Sequence, residues 1–161
     1  METGKMMFII NPMAGNWLNL KQQDKLIKQI RGFFGRVTIV FSEAEGENNI
    51  SNLAREAQKN GCNTIVVRGG DGSLNCAING LDLSDPSIVV GVIPAGTGND
   101  VASTLGIPWE TEEALSVIKD GHTRQIDLGI ANGVCFANTI SIGLDALINQ
   151  KATDRKPFFQ G

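Results

Sequence analysis

Apolar residues along this chain alternate between two rhythms. Short β-branched runs occupy Met6–Asn11, Val37–Phe41, Thr64–Val67 and Ile88–Ile93. Nearly continuous apolar character over such lengths predicts strands buried on both faces. Between them lie segments with helical spacing. Leu20–Phe33 places Leu26, Ile27, Ile30 and Phe33 on one side, with Gly32 and Gly35 as its stop. Ile50–Asn60 turns Ile50, Leu53, Ala54 and Ala57 inward and closes on Gly61. Leu74–Asn79, Asp100–Leu105 and Thr111–Lys119 continue the series, with Gly106 and Pro108 ending the second of these. Thr111 is placed to cap the last, with Ala114, Leu115 and Ile118 inward. Strands alternating with helices predict an α/β fold, a three-layer domain whose parallel sheet is covered on both faces.

The rhythm breaks after Gly121. Arg124–Ala131 and Val134–Ile142 alternate with a period of two and are joined by Asn132-Gly133. That dipeptide between alternating runs is a strong hairpin signal. The change divides the chain into 1–122, the α/β domain, and 123–161, the start of a β-rich region. A two-stranded hairpin is marginal alone. It is expected to dock on the first domain, pair with another copy through its exposed edge, or begin a second domain that is mostly missing from this chain.

Two strand ends carry the chemistry. Val66-Val67-Arg68-Gly69-Gly70-Asp71-Gly72-Ser73-Leu74-Asn75 runs from a strand into a glycine cluster that opens a helix. Closely spaced glycines let backbone N–H groups approach an anion, and a helix N-terminus adds partial positive charge. Asp71 would repel a bare phosphate, which points to a cation between the two. Val92-Ile93-Pro94-Ala95-Gly96-Thr97-Gly98-Asn99-Asp100 repeats this logic. Two such loops, each with an Asp, suggest a nucleotide polyphosphate with Mg²⁺. In a parallel sheet both loops fall at the carboxyl ends of the strands, as does Asn11-Pro12. Neither loop is a Walker sequence or a dinucleotide fingerprint, and each taken singly also reads as an ordinary tight βα turn.

Composition narrows the picture further. The 161 residues carry a formal charge of −3, with 14 basic and 17 acidic side chains, and no basic patch interleaves with aromatics. Aromatic content is 6% with no Tyr, so nucleic acid is not an expected partner. The cysteines are Cys62, Cys76 and Cys135, an odd count without metal spacing, which suits a reduced, cytoplasmic setting. Cys76 is expected to be a buried helix residue. His122 sits in a turn sequence, Asp120-Gly121-His122-Thr123, and is a poor candidate catalyst. No run is long enough to span a bilayer, so membrane contact is expected to be peripheral. Trp17 and Trp109 read as packing residues, and Lys21, Lys25 and Lys28 as a solvated helix face or a contact for anionic lipid.

In order along the chain, Asn11-Pro12-x-x-Gly15, Gly69-Gly70-Asp71-Gly72-Ser73-x-Asn75 and Pro94-x-Gly96-Thr97-Gly98-Asn99-Asp100-x-Ala102 resemble the catalytic domain of diacylglycerol-kinase-type lipid kinases. That group takes in bacterial diacylglycerol kinases, YegS-like lipid kinases and sphingosine kinases. Ile126-Asp127, Asn138 and the Gly143 region fit as well. The Gly-Gly-Asp-Gly element is shared with NAD kinases and phosphofructokinases. Pro-x-Gly-Thr-Gly-Asn-Asp is the discriminating one.

The resemblance implies an ATP- and Mg²⁺-dependent kinase that phosphorylates a lipid hydroxyl at a membrane surface, this chain supplying the nucleotide half. It implies that Asn11 and Ser42 line the nucleotide site. Gly69, Gly70, Asp71, Gly72, Ser73, Leu74 and Asn75 would cradle phosphates, with Pro94, Gly96, Thr97, Gly98 and Asn99 opposite. Asp71, Asp100 and Asp127 would form the metal set. Ser73 stands where Thr is more usual and keeps the hydroxyl. Asp127 also reads as a simple strand-end residue, and Ser42 as a helix-region cap. The catalytic base that accepts the lipid proton is expected beyond Gly161. A non-catalytic ATP-binding module and a soluble kinase of the NAD-kinase or phosphofructokinase type are the alternatives.

Overall fold

The computed structural model describes residues 5–139. Four strands form one parallel sheet: β1 (Lys5–Ile10), β2 (Thr38–Phe41), β3 (Cys62–Gly69) and β4 (Val89–Pro94), in the order β2-β1-β3-β4. Five helices accompany them: α1 (Leu20–Phe34), α2 (Ile50–Lys59), α3 (Asp71–Ile78), α4 (Asp100–Leu105) and α5 (Thr111–Asp120). A short antiparallel pair, β5 (Gly129–Ala131) and β6 (Val134–Phe136), follows. The α/β parallel-sheet fold read from the sequence is the observed one.

Alternate strand residues feed opposite faces of the sheet. Phe8, Ile10, Val66 and Ile93 pack with Leu26 and Ile30 of α1 and Leu115 of α5. Ile9, Ile65 and Val67 pack with Ile50, Ala54 and Ala57 of α2 and Ala77 of α3. Leu74, Ile78 and Val101 form a third cluster that takes in Leu128, Cys135 and Ala137 beside the hairpin. The placement of the helices follows from right-handed crossovers. The chain steps from β1 to β2 in one direction, with α1 on one face. It then steps back past β1 to β3, with α2 on the other. The reversal leaves a switch point between the carboxyl ends of β1 and β3.

Local chemistry fixes the helix ends. Asn19 caps α1 in a reciprocal box, its carboxamide oxygen accepting from Gln22 N–H at 3.0 Å while Gln22 Oε1 accepts from Asn19 N–H at 3.0 Å. Asn49 caps α2 through Asn52 N–H at 3.0 Å. The capping expected of Thr111 is not found: Thr111 is the first residue of α5, and Glu110 holds the cap position without a side-chain bond. Gly32 lies inside α1 rather than ending it, and Gly35 does the stopping.

Other expectations are corrected too. α3 starts at Asp71, directly on the glycine cluster, three residues before the expected Leu74. Cys76 is exposed, because Ser73, Leu74, Ala77 and Ile78 take the inward stripe. Trp17 and Trp109 are also exposed rather than packed. The strand expected over Arg124–Ala131 is reduced to Gly129–Ala131, and that over Val134–Ile142 to Val134–Phe136, with residues 140–142 lying outside the described residues. Among the described residues no helix is long and apolar enough to cross a membrane.

Phe8 is fully buried at the centre of the α1 face and stacks at 5.3 Å between ring centroids against Phe34. Phe8→Ala is expected to lower the unfolding free energy by about 3–5 kcal/mol, read from the midpoint of a urea denaturation curve.

Candidate functional site

Three loops meet at the carboxyl edge of the sheet. The β1–α1 loop leaves Asn11, whose N–H donates to the Arg68 carbonyl at 3.0 Å. Gly15 reaches across the edge with φ +68° and lies so close to the Ala95 carbonyl that a side chain there would collide with it. The β4 loop is tied to β3 by the Ala95 N–H, which donates to the Gly69 carbonyl at 2.9 Å. The residues singled out from the three motifs therefore gather on these adjoining loops, at the ends of β3 and β4, and on α3 and α4.

The two glycine loops touch backbone to backbone. A Cβ built on Gly96 would stand 2.5 Å from Gly70 Cα and 2.9 Å from Asn99 Oδ1, and one on Gly70 would stand 3.0 Å from Gly96 Cα. Asp71 closes the contact. Its carboxylate accepts from Asp100 N–H at 3.1 Å and from Val101 N–H at 3.0 Å, so a residue at the start of α3 caps α4. Asn99 sits at the cap position of α4 with φ 50° and ψ 43° and cannot cap the helix itself. Its buried side chain instead accepts from Gly96 N–H at 2.8 Å and donates to the Gly96 carbonyl at 2.9 Å. Asn is among the few residues that take this backbone conformation readily. Asn99, expected to face the nucleotide, is thus spent on the loop's own shape.

α3 presents an open N-terminus. Gly70 is its cap residue, and among the described residues no side chain bonds to the first-turn amides. Those donors and the helix dipole suit an anion. Ser73 is buried, and its hydroxyl accepts from Asn11 Nδ2 at 2.9 Å, which locks the β1 loop to α3. Gly69 is required by the same packing, since a Cβ there would meet the Ser73 side chain. Ser42, also buried, donates to the Ile10 carbonyl at 3.4 Å, and its N–H donates to the same oxygen at 2.8 Å. Ser42 caps no helix. Pro94 ends β4, and Thr97 is exposed on the loop beyond it.

The three expected metal carboxylates are differently placed. Asp71 and Asp100 both lie near Gly98, where an added Cβ would be 3.5 Å from an oxygen of each. Asp127 is on the exposed segment before β5. Among the described residues no three carboxylates, thiols or imidazoles gather to hold a metal ion. Mg²⁺ needs no such cage; it is commonly held by one or two carboxylates, waters and substrate phosphates. Asp71 and Asp100 meet that requirement beside the open α3 terminus.

α3 also carries the hairpin. Asn75 Oδ1 accepts from Ala137 N–H at 3.2 Å. Asn79, one turn further on, accepts from Cys135 N–H at 2.9 Å and donates to the Cys135 carbonyl at 2.8 Å. Asn138 then reaches Asp100 Oδ2 at 3.3 Å. Leu74 lies on the inward side of α3 and packs against Val101. Asn79 was not anticipated; its signal is the four-residue spacing from Asn75, which puts both amides on one helix face. Arg68 was also missed. Its guanidinium is half-buried and donates to the Asn11 carbonyl at 3.3 Å. Burial pushes its pKa below the usual value.

Glycine loops, an open helix terminus and paired carboxylates thus gather at the carboxyl edge of a parallel α/β sheet, the edge where ligands of such folds bind. The chain belongs to the diacylglycerol kinase catalytic domain family, whose model it matches over residues 5–131. It is similar to a diacylglycerol kinase of Mycobacterium tuberculosis (strain ATCC 25618 / H37Rv), 32% identical over 157 residues covering 94% of this chain and 50% of that protein. A diacylglycerol kinase of Bacillus subtilis (strain 168) is 33% identical over 131 residues, 81% of this chain and 43% of that protein. A crystal structure of a diacylglycerol kinase from Bacillus anthracis str. Sterne superposes with a TM-score of 0.72 at 29% identity, covering 84% of this chain and 46% of that one. The chain spans about half the length of the curated relatives it matches.

The clasp predicts unequal roles for the glycines. Gly96→Ala is expected to destabilise the fold by about 1–3 kcal/mol, because backbone has to move, whereas Gly98→Ala meets only ordinary contacts and leaves the melting temperature nearly unchanged. Asp71→Ala removes the cap of α4 and is expected to cost about 0.5–2 kcal/mol. Chemical denaturation of the three variants checks the order.

Proposed function

We propose that this chain is the nucleotide-binding half of an ATP-dependent lipid kinase of the diacylglycerol kinase type. The observation that carries the reading is the uncapped N-terminus of α3 beside the Gly70–Gly96 contact. There, backbone donors, a helix dipole and two carboxylates converge on one edge, as a polyphosphate with Mg²⁺ requires. The family to which the chain belongs supplies the lipid hydroxyl as acceptor.

In the proposed reaction the bond between the γ-phosphorus and its bridging oxygen to the β-phosphate breaks. A bond forms from the lipid hydroxyl oxygen to the same phosphorus, the hydroxyl proton passes to a base, and ADP leaves. Catalysis of such a transfer rests on positioning and on stabilising charge. α3 amides and the Gly69–Ser73 turn hold phosphate oxygens. Gly96, Thr97 and Gly98 keep the opposite wall close. Asp71 and Asp100 would hold Mg²⁺, which would neutralise charge on the phosphates. Asn11 and Ser42 define the β1 side, and Asp127 lies on the hairpin side, in the exposed segment before β5. The acceptor is a membrane lipid, which implies peripheral contact with a bilayer.

Calorimetry with Mg-ATP is expected to show binding to the chain, and Asp71→Asn to weaken it by about tenfold or more, the effect of losing a charged contact. Equal affinity in the variant would remove Asp71 from the site. Labelled ATP with diacylglycerol in mixed micelles tests the acceptor: phosphorylated lipid supports the lipid kinase, while a rise in melting temperature with Mg-ATP but no turnover identifies a non-catalytic nucleotide-binding module. Phosphorylation of a soluble acceptor in place of lipid would favour the NAD-kinase-like alternative.

A further inference from the structure

Arg68 occupies an expensive position. It is the penultimate residue of β3, between Ile10 of β1 and Ile93 of β4 in register, and both of those are fully buried. It shares the sheet face of Val66, so its stem emerges at the top of the α1 and α5 core. Its head bridges the switch point, from the end of β3 to the carbonyl of Asn11, the residue that follows β1. This 3.3 Å contact is its one side-chain hydrogen bond among the described residues. No carboxylate pairs with it among them.

A guanidinium has five N–H donors in a planar fork. Half-buried with a single long bond, the group gives up part of its hydration while its remaining donors face solvent rather than a protein partner among the described residues, which leaves them free for a ligand. The fork matches the spacing of phosphate oxygens. The crevice that it crosses is where ligands of parallel sheets bind. Asp71 and Asp100 add negative charge to the same loops, which a protein cation beside a seated polyphosphate would offset.

We infer that Arg68 is a phosphate-contacting residue of this site, reaching a phosphoryl oxygen of the bound nucleotide from the β1–β3 crevice while the α3 terminus holds the phosphates from the other side. The inference rests on the nucleotide-binding reading given above. It makes Arg68 a residue retained for binding at the expense of folding.

The test compares the whole chain with Arg68→Met and Arg68→Lys, using calorimetry with Mg-ATP and with adenosine, and thermal melting without ligand. Arg68→Met fills the same space without charge. It is expected to weaken Mg-ATP binding by about tenfold or more, to leave adenosine affinity unchanged, and to melt at the same temperature or higher. Arg68→Lys keeps the charge without the fork and is expected to fall between the two. Wild-type affinity for Mg-ATP in Arg68→Met overturns the inference. So does a parallel loss of adenosine affinity or a lower melting temperature in both variants, which would make Arg68 a brace for the β1 loop. If the wild-type chain itself fails to bind Mg-ATP, the nucleotide reading falls first.

Discussion

The bonds from Asp71 to the first two amides of α4 set the relation of the glycine loops to each other. A carboxylate that caps its own helix reads a local signal. This one crosses from α3 to α4, between loops about thirty residues apart in sequence. It acts where the backbones of Gly70 and Gly96 are already in contact, so a small change in either loop is felt by both. Asn99 completes the arrangement from within the second loop. Its left-handed backbone costs on the order of 1 kcal/mol, which its two bonds to Gly96 offset. The clasp lies at the surface of the edge, and the amides at the start of α3 have no side-chain partner among the described residues.

Topology explains why this happens at one edge. Reversal of chain direction between β1 and β3 sends α1 to one face of the sheet and α3 to the other. The loops that leave these strands diverge, and the gap between them opens at the carboxyl ends. Asn11 and Ser73 bridge the gap through side chains, Asn11 and Arg68 through backbone and guanidinium. β4 adds the third loop by extending the sheet beyond β3. The hairpin then docks on α3 through Asn75 and Asn79, so a single eight-residue helix ties the glycine-loop edge to the segment that follows the α/β layers.

The sheet was legible because buried parallel strands leave continuous apolar runs. Each expected strand of the first domain matches an observed one within about two residues. α3 was less legible: Asp71, Gly72 and Ser73 have loop composition, yet the helix starts there because its N-terminus is built on the glycine turn. The segment 124–128 alternates like a strand but has no ladder partner among the described residues, and alternation alone does not make one. The three motifs announced the family and the edge where its residues gather. They could not announce the clasp, since the bond from Asp71 to α4 depends on two loops meeting in space. They also could not show that Asn99 serves the loop, or that Asn79 holds the hairpin.

The glycines of the site divide by what surrounds them. Gly15, Gly69, Gly70 and Gly96 are packed so tightly that a side chain meets protein atoms, which accounts for them by structure alone. Gly72 is different. It lies in the first turn of α3, its φ is not in the left-handed region, and nothing stands within 4 Å of where its Cβ would be. Packing and backbone geometry would both accept alanine there, and alanine favours a helix interior over glycine by roughly 0.5–1 kcal/mol. Gly98, with only ordinary contacts around it, is nearly as free. Both border the open amides of α3 and the carboxylates of Asp71 and Asp100. Bare backbone at these two positions leaves clearance beside the α3 amides, which the phosphates of the proposed nucleotide would occupy.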